Sequence, residues 1–379
     1  MKDHSLEVHG CHTYDATGAI SPSICLSATF RHPRFGESTG YDYGRVANPT
    51  RESLEKTVAL LERGGRSWAL SSGMAAVQLV FSLLSAGDHV LMSEDLYGGT
   101  VRLAEEVFAG YGVTFEYVDV RDLALVGKRM RPETKLVFIE TPSNPMMQIS
   151  DIAALSALAH ENGALLAVDN TFLSPHFQKP LTLGADIVLH SGTKYLCGHN
   201  DVIAGFLVLK DAMSAQAKRI ELLAKSAGSN LSALDSWLML RSIKTLGVRV
   251  ERQAENALAI ARWLGTLPEV TEVLYPGLAD HPGYALQQKQ ASGAGGMISF
   301  KVRSAEIAKA ALGRLHLIAF AESLGGVETL LTYPIAQTHA EMPAALLKRT
   351  GLDDKLLRLS VGIEDVEDLK ADLQQALQG

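Results

Sequence analysis

The chain has 379 residues, enough at roughly 150 residues per domain for two domains or one large α/β domain with an appendage, so a small stapled fold is excluded. Hydrophobic residues make up 47% and charged residues 20%, near globular averages, and a large buried core is expected rather than disorder. Thirty-five Lys and Arg against 42 Asp and Glu leave a net charge of −7, which offers no electrostatic footprint for nucleic acid.

The opening stretch, MKDHSLEVHG, carries charge and histidine where a signal peptide needs an apolar run. Cys11, Cys25 and Cys197 form no C-x-x-C pair, so the expectation is unreactive thiols in a reducing, cytoplasmic compartment, with no disulfide framework and no metal. Residues 1–50 lack helical periodicity and read as an extended arm, with His4, His9 and His12 solvated rather than metal-bound. From Arg51, ESLEKTVALLERG places Leu54, Val58 and Leu61 on one helical face and ends at a glycine pair suited to a C-cap. Strands are then expected at 88–93, 113–118, 135–140, 164–169, 185–190 and 203–209, with helical patterns such as TVRLAEEVFAGYG and DIAALSALAHENG between several of them. That alternation predicts a mainly parallel sheet covered on both faces. After about residue 215 no strand is expected until 295–302, and the intervening segment reads as long helices with a break around Gly247. A smaller α+β unit closes the chain, with a second strand at 355–362 and a final amphipathic helix. The expected division is an arm at 1–50, a large domain at 51–240 and a small domain at 241–379. The longest apolar runs are strand-length, far short of the ~20 residues of a membrane span.

Open parallel sheets bind ligands beyond the carboxyl ends of their strands. Two expected strands end in chemistry there: ALLAVDNTF in Asp169 and ADIVLHSGTKYLCGH in Lys194. An Asp and a Lys at neighbouring strand ends suit pyridoxal 5'-phosphate, whose aldehyde takes a lysine and whose ring nitrogen pairs with a carboxylate. Alone, the pair is weak evidence and reads better as solvated loop residues at strand ends. Support comes from Ser71-Ser72-Gly73, a polar turn opening an apolar helix, because free amides at a helix N-terminus make a phosphate site. An isolated serine N-cap is the plainer reading of that turn. The Ser191 and Thr193 hydroxyls beside Lys194 could serve the same phosphate. Gly293-Ala294-Gly295-Gly296 is a turn into a strand, since no helix follows it.

These parts sit within eight segments in one order: YDYGRVANPTR, SSGMAA, DLYGGT, ETPSNP, VDNTF, HSGTKYLCGH, ESLGGVETL and LRLSVGIED. With them the sequence resembles, over nearly its whole length, the Cys/Met-metabolism family of pyridoxal phosphate enzymes, which includes cystathionine γ-synthases, cystathionine lyases and methionine γ-lyase. The resemblance implies an aminotransferase-type (fold type I) α/β fold and a homotetramer of two dimers with shared active sites. It implies that Lys194 holds the cofactor and shuttles protons, that Asp169 pairs with the ring nitrogen and that Tyr97 stacks on the ring. Gly73 and Met74 amides with Ser191 and Thr193 would hold the phosphate, and Tyr43 and Arg45 would reach it across the dimer interface. Arg358 would bind the substrate carboxylate with its two-pronged donor group, helped by Asn144 and Ser323. An arginine in an apolar strand already calls for an anion partner.

The same resemblance bears on the reaction. Gly99 stands where methionine γ-lyases typically carry cysteine. Glu322 is of the type seen in γ-synthases and γ-lyases, where β-lyases commonly have an apolar residue. Asp42 and Arg102 resemble the γ-synthase pattern, and TLLTYPIAQTHAEMP is most like γ-synthases of Gram-positive bacteria that use O-acetylhomoserine. Gly44 and Val46 depart from the common pattern, and the second arginine that some γ-synthases carry in this stretch is missing, which weakens the case for a succinyl group. The expected activity is γ-replacement on an O-acylhomoserine, acetyl preferred, by cysteine or sulfide; the alternative is cystathionine cleavage at its β or γ carbon. A non-catalytic relative of the fold is disfavoured by the intact set of Lys194, Asp169, Tyr97 and Arg358.

Overall fold

A computed structural model describes residues 1–11 and 17–378; His12 lies outside the described residues. Arg66–Leu70 (β1), His89–Ser93 (β2), Thr114–Val118 (β3), Thr134–Glu140 (β4), Leu165–Asp169 (β5), Ile187–Ser191 (β6) and Gly205–Leu209 (β7) form one sheet in the order β1-β7-β6-β5-β4-β2-β3. Strands β2 to β6 are parallel, and β7 runs antiparallel to both β1 and β6. Residues of β4 alternate between two cores: Val137 and Ile139 pack on one face, Leu136 and Phe138 on the other. Burial on both faces is what makes these strands continuous apolar runs. All six expected strands are present. The strand missed is β1, because RSWAL is short and runs straight into the Ser71-Ser72-Gly73 turn.

Val270–Leu274 (β8), Met297–Val302 (β9), Ala319–Phe320 (β10), Leu330–Thr332 (β11) and Leu356–Ser360 (β12) form a second sheet in the order β10-β11-β12-β9-β8 around a third core. Strand β8 corrects the expectation of an all-helical stretch up to residue 295. It is an edge strand whose Thr271 and Glu272 are exposed, so its sequence lacks the apolar run that marks a central strand.

Two other expectations are corrected. The first residues are not wholly extended: Asp3–His9 is a helix (α1) that buries Leu6 and Glu7. Its few residues are too short to show a period, and contacts distant in sequence hold it: Asp3 pairs with Arg63 and accepts from Lys179 at 2.9 Å. The helical break falls at Lys244-Thr245, between Ala233–Ile243 and Leu246–Leu264, so Gly247 lies inside the second helix. That glycine answers a close approach instead, since a Cβ there would lie 2.6 Å from Glu7 Oε2. Helix α2 (Pro49–Leu61) starts where expected, with Asn48 accepting from the Thr50 and Arg51 amides. Helix α3 (Gly73–Phe81) follows β1 directly, capped by Ser72 on the Ala75 amide at 3.1 Å. Among the described residues no helix is long and apolar enough to cross a membrane.

Where β7 begins, the backbone touches the turn before α3. A Cβ on Gly205 would lie 1.9 Å from the Ser72 carbonyl oxygen and 2.8 Å from the Gly73 nitrogen. Gly205→Ala therefore has to move that turn, at a cost of about 1–3 kcal/mol, and should lower the unfolding temperature. Gly313→Ala, where the nearest atom to a Cβ is 3.7 Å away, should change stability by less than about 0.5 kcal/mol. Equal melting temperatures for the two variants would contradict this packing.

Candidate active site

The parallel strands deliver polar residues to one edge of the sheet. Glu140 ends β4, Asp169 ends β5 and Ser191 ends β6, as the placement of ligands beyond strand carboxyl ends requires. They line a cleft of about 300 Å³ together with Ser72, Gly73, Met74, Tyr97, Asn144, Thr193, Lys194, Glu322, Ser323 and Arg358. Residues expected on sequence grounds, from seven separate segments, therefore meet in one place.

Lys194 donates from Nζ to Ser323 Oγ at 2.9 Å. Burial, and then the positive charge of Arg358, lower its pKa to about 8, with Glu322 opposing. Arg358, on β12, is 2% exposed. It donates from Nη1 to Asn144 Oδ1 at 2.7 Å and from Nη2 to the Ser323 carbonyl at 3.3 Å. Its Nε has no partner among the described residues, and burial lowers its pKa to about 10. Among the described residues no carboxylate lies within ion-pair distance, so this buried cation is balanced there by neutral oxygens and by more distant acids. A buried cation with only neutral partners has the chemistry to take an anion. Ser323 serves both cations from a backbone with φ 124°, a region non-glycine residues avoid and which is found where a site is held under strain.

Asp169 accepts from the Thr171 amide at 3.0 Å and from its hydroxyl at 2.5 Å. Burial still raises its pKa, against those two hydrogen bonds and the His190 charge. Glu140 accepts from the Tyr97 amide at 3.0 Å, and burial followed by the charge of Asp169 pushes its pKa well up. Two acids at adjacent strand ends thus lack a cation of their own. At the other end of the cleft the Gly73 and Met74 amides head α3 with no protein acceptor among the described residues, while Ser72 is occupied with the Ala75 amide. The Thr193 hydroxyl donates to the Ala204 carbonyl at 3.2 Å, so it must turn to meet a ligand.

Four expected residues are not in this cleft. Tyr43 is exposed, with the Arg45 guanidinium over its ring at 5.7 Å and Arg45 Nη1 donating to the Lys225 carbonyl. Asp42 accepts from Ser38 Oγ at 2.5 Å, and Arg102 pairs with Glu341 at the surface. Glu140 and Thr171 are functional candidates that the sequence reading quoted within ETPSNP and VDNTF but gave no role; the signal was their position at or just past a strand end.

The chain matches the Cys/Met metabolism PLP-dependent enzyme family over residues 4–378. It belongs to that family. Relatives from Bacillus subtilis (strain 168) include a cystathionine γ-lyase, 47% identical with 100% of each chain covered. A cystathionine β-lyase is 46% identical, covering 96% of this chain and 93% of the relative. A cystathionine γ-synthase/O-acetylhomoserine (thiol)-lyase is also 46% identical, covering 96% and 92%. Among solved structures, cystathionine γ-lyase from Lactobacillus plantarum complexed with L-serine has a TM-score of 0.96 at 43% identity, covering 100% of this chain and 99% of that one. The fold is that of pyridoxal phosphate enzymes of fold type I, and the family uses that cofactor. The donor set fits it: an amine of lowered pKa, an uncompensated carboxylate at a strand end, and two free amides at a helix N-terminus.

A lowered lysine pKa leaves more neutral amine near pH 7. Rebinding of pyridoxal phosphate to cofactor-free protein, followed by the rise of its lysine-linked absorbance, should speed up with pH through an apparent pKa of about 8. A midpoint near the ordinary value of 10.5 would show that burial and Arg358 do not act on Lys194 as the structure implies.

Proposed function

We propose that this enzyme replaces the γ-substituent of an O-acylhomoserine, O-acetylhomoserine by preference, with cysteine to give cystathionine, and that sulfide can serve as a second nucleophile. The observation that carries this reading is Glu322, an exposed carboxylate on the rim of the cleft next to Ser323 and opposite Lys194. A carboxylate there suits the ammonium group of a second amino acid and disfavours the apolar pocket expected of a β-lyase. The bound cofactor supplies an electron sink for negative charge developing at the substrate α-carbon.

The chain's own residues do the rest. Lys194 Nζ holds the cofactor, then takes the proton from the α-carbon and moves protons along the side chain; Ser323 Oγ aims it. Arg358 grips the substrate carboxylate with Nη2 and the partnerless Nε, while Asn144 fixes the guanidinium. Asp169 would hold the ring nitrogen charged, which its raised pKa supports, since a cation beside it would compensate its burial. Tyr97 stacks on the ring, and Gly73, Met74, Ser191 and Thr193 take the phosphate. Tyr43, Arg45 and Asp42 share a segment turned away from this chain's own cleft, which supports their service to a neighbouring subunit in a homotetramer of two active dimers. Arg102 stands on the same short helix as Thr100, a residue lining the cleft, within reach of an anionic substrate tail once Glu341 releases it. Three free cysteines support a cytoplasmic setting.

Cleavage of cystathionine is the second reading, favoured by the relatives named γ-lyase and β-lyase. Assay of O-acetylhomoserine plus cysteine beside cystathionine alone, with products identified, separates the two. The expected result is faster cystathionine formation; faster release of homocysteine and pyruvate would establish the β-lyase reading instead. Glu322→Ala should shift the ratio of kcat/KM values from γ-replacement toward β-elimination by about tenfold, a ratio that cancels losses common to both. The shared site has its own test. Lys194→Ala and Arg45→Ala chains, each inactive, should regain activity when subunits exchange, and mixed dimers without recovery would refute sharing.

A further inference from the structure

Outside the cleft, four residues from three segments converge. His4 and Glu7 stand one turn apart on α1, His176 lies in the short helix Ser174–Phe177, and Glu251 lies in Leu246–Leu264. None of them lines the cleft.

The Glu7 carboxylate is 3% exposed, and its ion-pair partners among the described residues are the two imidazoles. Nearby cations are engaged elsewhere: Lys179 and Arg63 by Asp3, and Arg249 by the Tyr195 and Ser242 carbonyls. Glu7 Oε1 accepts from His176 Nδ1 at 2.7 Å, while Oε2 accepts from the Gly247 amide at 3.1 Å and faces His4 Nδ1 at 3.8 Å. On His176 a carboxylate holding Nδ1 leaves Nε2 as the free lone pair, the arrangement by which an outer carboxylate orients a metal-binding histidine; His4 Nδ1 is beyond hydrogen-bond distance of Glu7. Both Nε2 atoms then converge on one oxygen: His4 Nε2 and His176 Nε2 each lie 3.4 Å from Glu251 Oε1. In a tetrahedral zinc site with bonds of about 2.1 Å, neighbouring ligand atoms are about 3.4 Å apart. The backbone makes room for the cluster, because a Cβ on Gly247 would lie 2.6 Å from Glu7 Oε2, 2.8 Å from His4 Nδ1 and 3.1 Å from His176 Cε1.

We propose that His4, His176 and Glu251 bind a divalent zinc-class ion, oriented by Glu7, which ties α1 to the two helices beneath it. Two imidazoles and a carboxylate with a position left for water suit zinc among the divalent ions. The role is structural, and the expectation that no metal binds is revised by it: the ligands come from three segments that only the fold brings together.

The test uses the full-length holoenzyme without a polyhistidine tag, stripped with EDTA and titrated with Zn²⁺ against a chromophoric chelator. One ion per chain should bind and raise the unfolding temperature, and Co²⁺ in its place should give the visible bands of a tetrahedral N/O site. His4→Ala and Glu251→Gln, both on exposed side chains, should each weaken binding at least tenfold and abolish the thermal shift while cystathionine-metabolising activity stays unchanged. Glu7→Gln should weaken it by about 10–100-fold. Absence of stoichiometric binding overturns the proposal. So does zinc affinity that is the same in wild type, His4→Ala and Glu251→Gln, since the ion would then sit elsewhere, for example on the thiols.

Discussion

Arg358 is a guanidinium buried among neutral oxygens, and much of the cleft is arranged around that fact. Its charge is held by Asn144, Ser323 and Thr332, with Glu140 acting from further off. Desolvating a cation without a paired carboxylate is costly, and the cost is met by the rest of the fold rather than recovered locally. A cation so placed is able to take a carboxylate, which is the role proposed for it above. Burial lowers the pKa of Lys194, and the charge of Arg358 adds to that shift, so the two groups are electrostatically linked.

The two cations come from different sheets. Lys194 sits just after β6 of the large sheet, Arg358 on β12 of the small one. Ser323 bridges them, its hydroxyl accepting from the lysine and its carbonyl from the arginine, and it can do so only with the backbone turned to positive φ. The interface between the two sheets is therefore part of the active site. His339, another interface residue, contacts the Asn144 carbonyl at 3.0 Å, and burial together with Arg358 lowers its pKa to about 4. It stays neutral beside the cation, which spares the cleft a further positive charge.

Charge is handled in the opposite way around α1. There Glu7 is a buried anion among imidazoles, docking the first helix to two others. The two places differ in how the charge is met: Arg358 has neutral oxygens around it, whereas Glu7 accepts from the His176 ring and the Gly247 amide.

The sequence by itself determined the parallel core, because strands buried on both faces must be continuous apolar runs, and it determined the cleft's membership through strand-end residues such as Asp169 and motif positions such as Lys194 and Arg358. It also carried the family, through eight motifs in one order. Edge strand β8, two-residue β10 and helix α1 were not legible, since half-exposed or very short elements leave no period to read. Only the tertiary structure decided that Glu140 lies beside Asp169, that Ser323 links two cations, and that His4 meets His176 and Glu251. Each of these is a contact between segments far apart in the chain, and such contacts are set by how the sheets and helices pack, which no local pattern encodes.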